Sequence, residues 1–167
     1  TGVQTCALPI CGDVTLEDFF TEEYSLNHLI QNYAKPYIAL MDGIVMGGGM
    51  GISQGAALRV VTGRTKMAMP ETAIGLFPDV GGGYFLSRCP GHVGEWLALT
   101  GDTIGSGDAI AFGLADGCLP VEQLAPGEVL RHDVDALAVL VVLENFHDVG
   151  VVDLGQDTHF LEEAALF

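Results

Sequence analysis

The sequence predicts an α/β fold, and three observations carry that expectation. Short apolar runs of three to six residues, of the kind that form buried strands, alternate with longer stretches in which apolar residues recur at helical spacing. Glycine is abundant, 23 of 167 residues, and clusters where these segments meet. Apolar residues make up 49% of the chain and no Pro/Ser-rich linker divides it, so a single globular domain with a real core is expected.

Each element has a local reason. From Leu16 to Tyr33 the residues Phe19, Phe20, Tyr24, Leu29 and Ile30 recur near helical spacing with acids on the other side, which predicts an amphipathic helix ended by Lys35-Pro36. Tyr37 to Met41 reads as a short buried strand, Asp42-Gly43 as a turn, and Ile44 to Met46 as a second extended piece. Three glycines follow, and Met50 to Ala57 is small and apolar enough for a tightly packed helix. Leu58 to Thr62 and Lys66 to Met69 are the next strands. Pro70 to Gly83 holds two prolines and four glycines and predicts irregular backbone, long for a loop inside a compact domain and therefore a place to look for function. His92 to Thr100 and Ser106 to Ala115 read as helices, the second with Ser106 as N-cap, and a last helix is expected from about Val134 to Phe146.

Charge narrows the function classes. Six Lys plus Arg against 22 Asp plus Glu leave a formal net charge of −16, so the basic footprint that nucleic acid requires is missing. The imbalance is uneven: residues 1–101 carry nine acids and five bases, whereas residues 102–167 carry 13 acids and Arg131 alone. The longest apolar run, Ala136 to Leu143, falls far short of the ~20 residues of a membrane-spanning helix. Cysteines 6, 11, 89 and 118 form no Cys-x-x-Cys pair, and the five histidines show no metal-ligand spacing, so neither a disulfide framework nor a metal site is expected. A reducing compartment follows.

Three places could carry chemistry. Gly47-Gly48-Gly49, between a strand and a helix, bares backbone N–H groups at a helix start, where a phosphate or a developing oxyanion could bind; the same glycines could equally serve only close packing. They do not fit the dinucleotide or P-loop patterns. Glu71 and Asp79 sit eight residues apart on the long loop among Met69, Pro70, Ile74, Phe77, Pro78 and Val80, a setting that predicts partial burial and carboxyl groups suited to acid/base work; as ordinary loop acids they would be solvated. Gly51-Ile52-Ser53-Gln54-Gly55 matches the G-x-S-x-G nucleophile elbow, but Ser53 falls inside a predicted helix rather than at a sharp turn after a strand, which counts against a serine hydrolase.

Two phrases carry a family resemblance. KPYIALMDGIVMGGGMGIS followed by MAMPETAIGLFPDVGGGYFLSR resembles the crotonase (enoyl-CoA hydratase/isomerase) superfamily, and within it the 3-hydroxyisobutyryl-CoA hydrolases. The likeness runs from about Gly12 to His147. It implies a ββα spiral core, cut short at both ends, and binding of an acyl-CoA whose thioester oxygen sits in an oxyanion hole formed by the N–H groups of Gly48 and Gly12, with Gly47, Gly49 and Gly51 lining the substrate site. It further implies Glu71 as the principal catalytic carboxylate, attacking the acyl carbon or activating water, Asp79 as the assisting acid/base, hydrolysis of a short β-hydroxyacyl-CoA in valine breakdown, no cofactor beyond the CoA of the substrate, and self-association of the full-length protein. Hydratases of the superfamily carry a second glutamate shortly after the triple glycine; Gly51 stands there in this chain. The resemblance therefore favours thioester hydrolysis, with isomerase, hydratase or an inactive fragment as alternatives.

Residues 1–11 depart from the family. Cys11 stands where a glycine is expected, and the segment resembles translated adapter sequence, so it is expected to be foreign, with residues 12–167 forming a partial domain. Such a piece, lacking strands, is expected to be poorly soluble alone. Location in the cytoplasm is expected, or in the mitochondrion if the source is eukaryotic.

Overall fold

The computed structural model describes residues 15–124, 139–144 and 148–153, with side chains from Phe19 to Leu124. A helix, α1 (Thr15–Gln31), leads into β1 (Tyr37–Asp42) and β2 (Ile44–Met46). Next come α2 (Gly48–Gln54), β3 (Leu58–Val61) and β4 (Lys66–Ala68), then a 3-10 helix at Pro70–Ile74. Two short helices follow, α3 (Gly82–Leu86) and α4 (Val93–Thr100), and then β5 (Ile104–Gly105), α5 (Ser106–Ala111), β6 (Gly117–Cys118), a 3-10 turn at Val121–Gln123, β7 (Val139–Glu144) and β8 (Asp148–Asp153).

The strands form two sheets that the chain visits in turn. One has the order β6-β3-β1-β7-β8 and the other β2-β4-β5. β1 pairs in parallel with β3 through Ile38 to Leu58 and Met41 to Val61, while β2 pairs in parallel with β4 through Ile44 to Lys66 and Met46 to Ala68. Each β-β-helix unit thus adds one strand to each sheet, which is the ββα spiral expected from the resemblance. Gly43, at φ 133°, makes the step from one sheet to the other.

β1 lies at the centre and is buried along its whole length, as a strand with neighbours on both edges and packing on both faces requires. Its side chains alternate between two apolar clusters: Tyr37, Ala39 and Met41 join Met50, Met67 and Met69 on one side, and Ile38 and Leu40 join Val60 and Leu124 on the other. Asp42 ends the strand and is 2% exposed. Thr62 donates a hydrogen bond to its Oδ1 at 2.6 Å, Arg64 Nε donates to the same oxygen at 3.0 Å, and Arg64 Nη2 reaches Oδ2. The guanidinium holds the Asp42 carboxyl below the usual aspartate range against the opposing effect of burial.

Three expectations change. The helix predicted over Val134 to Phe146 is replaced at its centre by β7, which pairs in parallel with β1 from Tyr37–Val139 to Asp42–Glu144 and antiparallel with β8. Val-Leu-Val-Val-Leu is an unbroken, β-branched apolar run without a polar face, and it suits a strand between two neighbours better than a half-exposed helix. Gly105, extended at φ −92°, caps α5 rather than Ser106. That helix stops at Ala111 instead of Ala115, because Gly113 turns left-handed at φ 77° and sends Leu114 and Ala115 into the core. The segment over residues 1–11 lies outside the described residues. No helix among the described residues is long and apolar enough to cross a membrane.

Candidate active site

The site forms where α2 begins, under the loop from Pro70 to Gly83 and beside α1. Gly47 is the N-cap of α2 with φ 53°, a conformation that suits glycine, and its N–H is used by Ala68 O at 3.2 Å. The first intrahelical bond runs from Gly51 N–H to Gly47 O at 3.1 Å, so Gly48, Gly49 and Met50 supply the orphan N–H groups of the first turn. Gly48 thus opens a helix, as the sequence suggested, although α2 starts two residues before Met50. Gly49 and Gly51 are buried in it. Gly12, the other expected N–H donor, lies outside the described residues.

Side chains crowd this glycine turn. A Cβ on Gly47 would stand 3.0 Å from Glu71 Oε1, and one on Gly48 would stand 3.0 Å from Glu23 Oε1. At Gly51 a Cβ would meet Val80 Cβ at 2.5 Å and Asn27 Oδ1 at 3.1 Å. Three acidic or amide groups from two distant parts of the chain therefore approach backbone directly, and glycine is required at Gly47 by its positive φ and at Gly51 by the close Val80. The space beside Gly51 is thus filled by Val80 and Asn27.

Glu71 is the second residue of the 3-10 helix that Pro70 starts, and it is 7% exposed. Its Oε2 is buried and has no hydrogen-bond partner. Burial pushes its carboxyl above the ordinary glutamate range; the nearby Asp79 charge adds to the rise, against a hydrogen bond to its own backbone. Asp79 is half-buried and accepts a hydrogen bond from Tyr24 Oη at 2.8 Å. The next residue, Val80, has φ 40°, which is unfavourable for a β-branched side chain and marks strain beside the carboxylate. An open groove of about 360 Å³ runs along Tyr24, Asn27 and the Phe77–Gly83 stretch, with Asp79 in its wall.

Sequence reasoning missed the contribution of α1. Glu23 belongs to the group of acids expected on the solvent side of that helix, yet it turns toward the glycine turn. Burial, and then the charges of Asp79 and Glu71, push its carboxyl up to about 7. Glu23 and Asn27 lie one helical turn apart on one face, with Tyr24 beside them. That i, i+4 pair of polar groups, next to an aromatic residue with a hydroxyl, is the signal available in the sequence. Ser53 is buried within α2 and donates to Met50 O at 3.2 Å, so the nucleophile-elbow geometry is absent. Of the histidines, His28 and His92 are exposed and His132, His147 and His159 lie outside the described residues.

A profile of the enoyl-CoA hydratase/isomerase family matches residues 8–149. The chain belongs to the enoyl-CoA hydratase/isomerase family. Among curated relatives it is 48% identical over 143 residues to the mitochondrial 3-hydroxyisobutyryl-CoA hydrolase of Xenopus tropicalis, covering 82% of this chain and 36% of that protein. It is 46% identical over 151 residues to the human protein of the same name, covering 87% and 38%. Among solved structures it is similar to an enoyl-CoA hydratase from Rhodobacter sphaeroides, with 41% identity, a TM-score of 0.64 and coverage of 75% of this chain and 40% of that one. A carnitinyl-CoA dehydratase from Mycobacterium thermoresistibile is 53% identical with a TM-score of 0.60, over 62% of this chain and 31% of that one. The chain thus spans well under half the length of these members of its family.

Proposed function

We propose that the protein carrying this chain hydrolyses a short β-hydroxyacyl-CoA, releasing the free acid and CoA, as 3-hydroxyisobutyryl-CoA would give 3-hydroxyisobutyrate. The observation that carries the reading is the buried, incompletely bonded Glu71 carboxyl beside the glycine turn, coupled in charge to Asp79. Glutamates with raised pKa values suit proton transfer near neutral pH. In the proposed step Glu71 takes a proton from water as its oxygen adds to the acyl carbon. The oxygen of the former carbonyl gathers negative charge and is held by the N–H groups of Gly48 and Gly12. The C–S bond then breaks, and the proton passes through Asp79 to the departing sulfur. CoA arrives with the substrate, so no separate cofactor enters.

The names of the curated relatives support the acyl group and the hydrolytic outcome. Those relatives are named mitochondrial; for this protein the compartment proposed is the cytoplasm, or the mitochondrion in a eukaryote. Self-association is proposed for the full-length protein. The test is release of CoA thiol from 3-hydroxyisobutyryl-CoA by the full-length protein. Release that disappears in Glu71→Gln supports the reading, and no release by the wild type overturns it.

A second reading has an observation of its own. Gly51 removes one hydratase glutamate, but Glu23 brings another carboxyl to the same turn from α1, so two glutamates face Gly47 and Gly48 after all. Addition of water to a short enoyl-CoA is followed by loss of the conjugated-thioester absorbance. Hydration faster than CoA release would favour this alternative.

A further inference from the structure

The Asn27 side chain has no role in the reaction just described, yet both of its polar atoms are buried and neither has a hydrogen-bond partner. A buried amide left unbonded costs on the order of 1–3 kcal/mol per polar group, and native proteins rarely retain one without a use. Asn27 Oδ1 lies against Gly51, and Asn27 lines the groove together with Tyr24, Asp79 and Val80.

The position relative to Glu71 is set by α2. Glu71 Oε1 lies over Gly47 and Asn27 Oδ1 over Gly51, and these glycines are hydrogen-bonded to each other one helical turn apart. Gly47 is the non-helical N-cap, so the two do not share one helix face, but one turn of helix separates their backbones by roughly 6 Å. That separation is comparable to the reach of a short acyl chain, and Asn27 lines the same groove as Asp79, so an acyl group whose thioester carbon meets Glu71 has its β-substituent on the Asn27 side. A hydroxyl suits this amide, since it can accept from Nδ2 and donate to Oδ1, whereas a hydrogen or methyl group leaves both atoms unbonded.

We propose that Asn27 is a specificity-determining residue that hydrogen-bonds the β-hydroxyl of the acyl group and so selects hydroxylated over plain acyl-CoA thioesters. This rests on the acyl-CoA reading of the site. Sites built to hydrogen-bond a hydroxyl reject the analogue lacking it, because their own polar groups are then stranded.

The experiment compares 3-hydroxyisobutyryl-CoA with isobutyryl-CoA in the full-length wild type, Asn27→Leu and Asn27→Ala, by kcat/KM for CoA release and by calorimetric affinity, with thermal unfolding of the free proteins alongside. The wild type is expected to prefer the hydroxylated thioester at least tenfold. Asn27→Leu, of similar volume, should lower kcat/KM and affinity for it about 10- to 100-fold, leave isobutyryl-CoA within about threefold, and unfold no earlier than wild type because a stranded amide is gone. Asn27→Ala should show the same loss of preference if the leucine variant does not fold. Equal losses with both thioesters would mean that Asn27 holds the attacking water or the fold, and unchanged preference would mean that it reads nothing; either overturns the proposal. If the wild type releases CoA from neither thioester, the hydrolase reading fails, and the affinity ratio alone then decides whether Asn27 reads the hydroxyl.

Discussion

Asp42 and Glu71 are both buried acids at the ends of neighbouring chain segments, and the fold treats them in opposite ways. Asp42, at the end of the central strand, receives bonds from Thr62 and from two nitrogens of Arg64, and its carboxyl is held low. Glu71, on the 3-10 helix after β4, keeps one oxygen with no partner and its carboxyl is pushed up. A charge whose bonds are all supplied by the protein belongs to the structure, whereas a buried carboxyl left short of bonds is held for something that arrives later. Burial raises both; at Asp42 the bonds from Arg64 and Thr62 outweigh it, whereas at Glu71 burial is the largest influence.

The sharpest way to break this contrast is to neutralise both. Glu71→Gln keeps the shape and removes the proposed base, so hydrolytic kcat in the full-length protein is expected to fall about 10³-fold or more, with stability unchanged or raised. A variant that keeps most of its turnover would remove Glu71 from the chemistry. Asp42→Ala removes the acceptor that Thr62 and Arg64 share and should cost about 2–3 kcal/mol in unfolding free energy by urea melts, moderated because Arg64 stays in touch with water. Turnover per folded molecule should barely move. The signs for the two acids are opposite: a folded pKa held below the ordinary value stabilises above that value, so the Asp42 contribution is present at neutral pH and is lost as pH falls below about 3.8.

How much of this was legible beforehand follows from which interactions are local. The strands around the triple glycine and the placing of Glu71 and Asp79 on a Pro/Gly-rich loop could be read because composition and spacing carry them. The β7 strand could not be separated from a helix, since an unbroken apolar run has no period; its pairing with β1, about a hundred residues earlier, decides the matter. Glu23 and Asn27 were hidden for a related reason. Both look like the polar side of an amphipathic helix, and only the packing of α1 against α2, where glycines leave no side chains in between, turns that side inward. The Tyr24 hydrogen bond spans 55 residues, beyond any spacing argument.

Glu23 lies between the two extremes and sharpens the comparison by pH. Its carboxyl is raised to about 7 by burial and by Asp79 and Glu71, so the folded state holds this proton more tightly than the unfolded chain, whose value is near 4.5. Stability from this group is present below about 4.5 and lost as pH rises through about 7; the full shift corresponds to about 3 kcal/mol, which solvent screening at this partly exposed position reduces to on the order of 1–2 kcal/mol. Melting temperatures of the full-length protein between pH 5 and pH 8 should therefore fall more in the wild type than in Glu23→Gln. An identical fall in both would show that Glu23 is solvated like Glu22 and takes no part in the site.

The smallest effect expected is at Tyr24, which tests whether Asp79 resembles Asp42 or Glu71. Tyr24 is 43% exposed, and its hydroxyl donates to Asp79 Oδ2 at 2.8 Å; no other side-chain donor among the described residues bonds this carboxylate. If Asp79 acts with Glu71, the tyrosine holds it in place, and Tyr24→Phe should lower kcat about three- to tenfold with KM little changed, about the value of one hydrogen bond to a charged group near the surface. Stability should shift by less than about 0.5 kcal/mol, as at other half-exposed positions. A loss of stability without a loss of kcat would place Asp79 beside Asp42 as a structural acid. A loss of kcat alone would place it with Glu71, one carboxylate steered by a single neighbour and otherwise open to the groove.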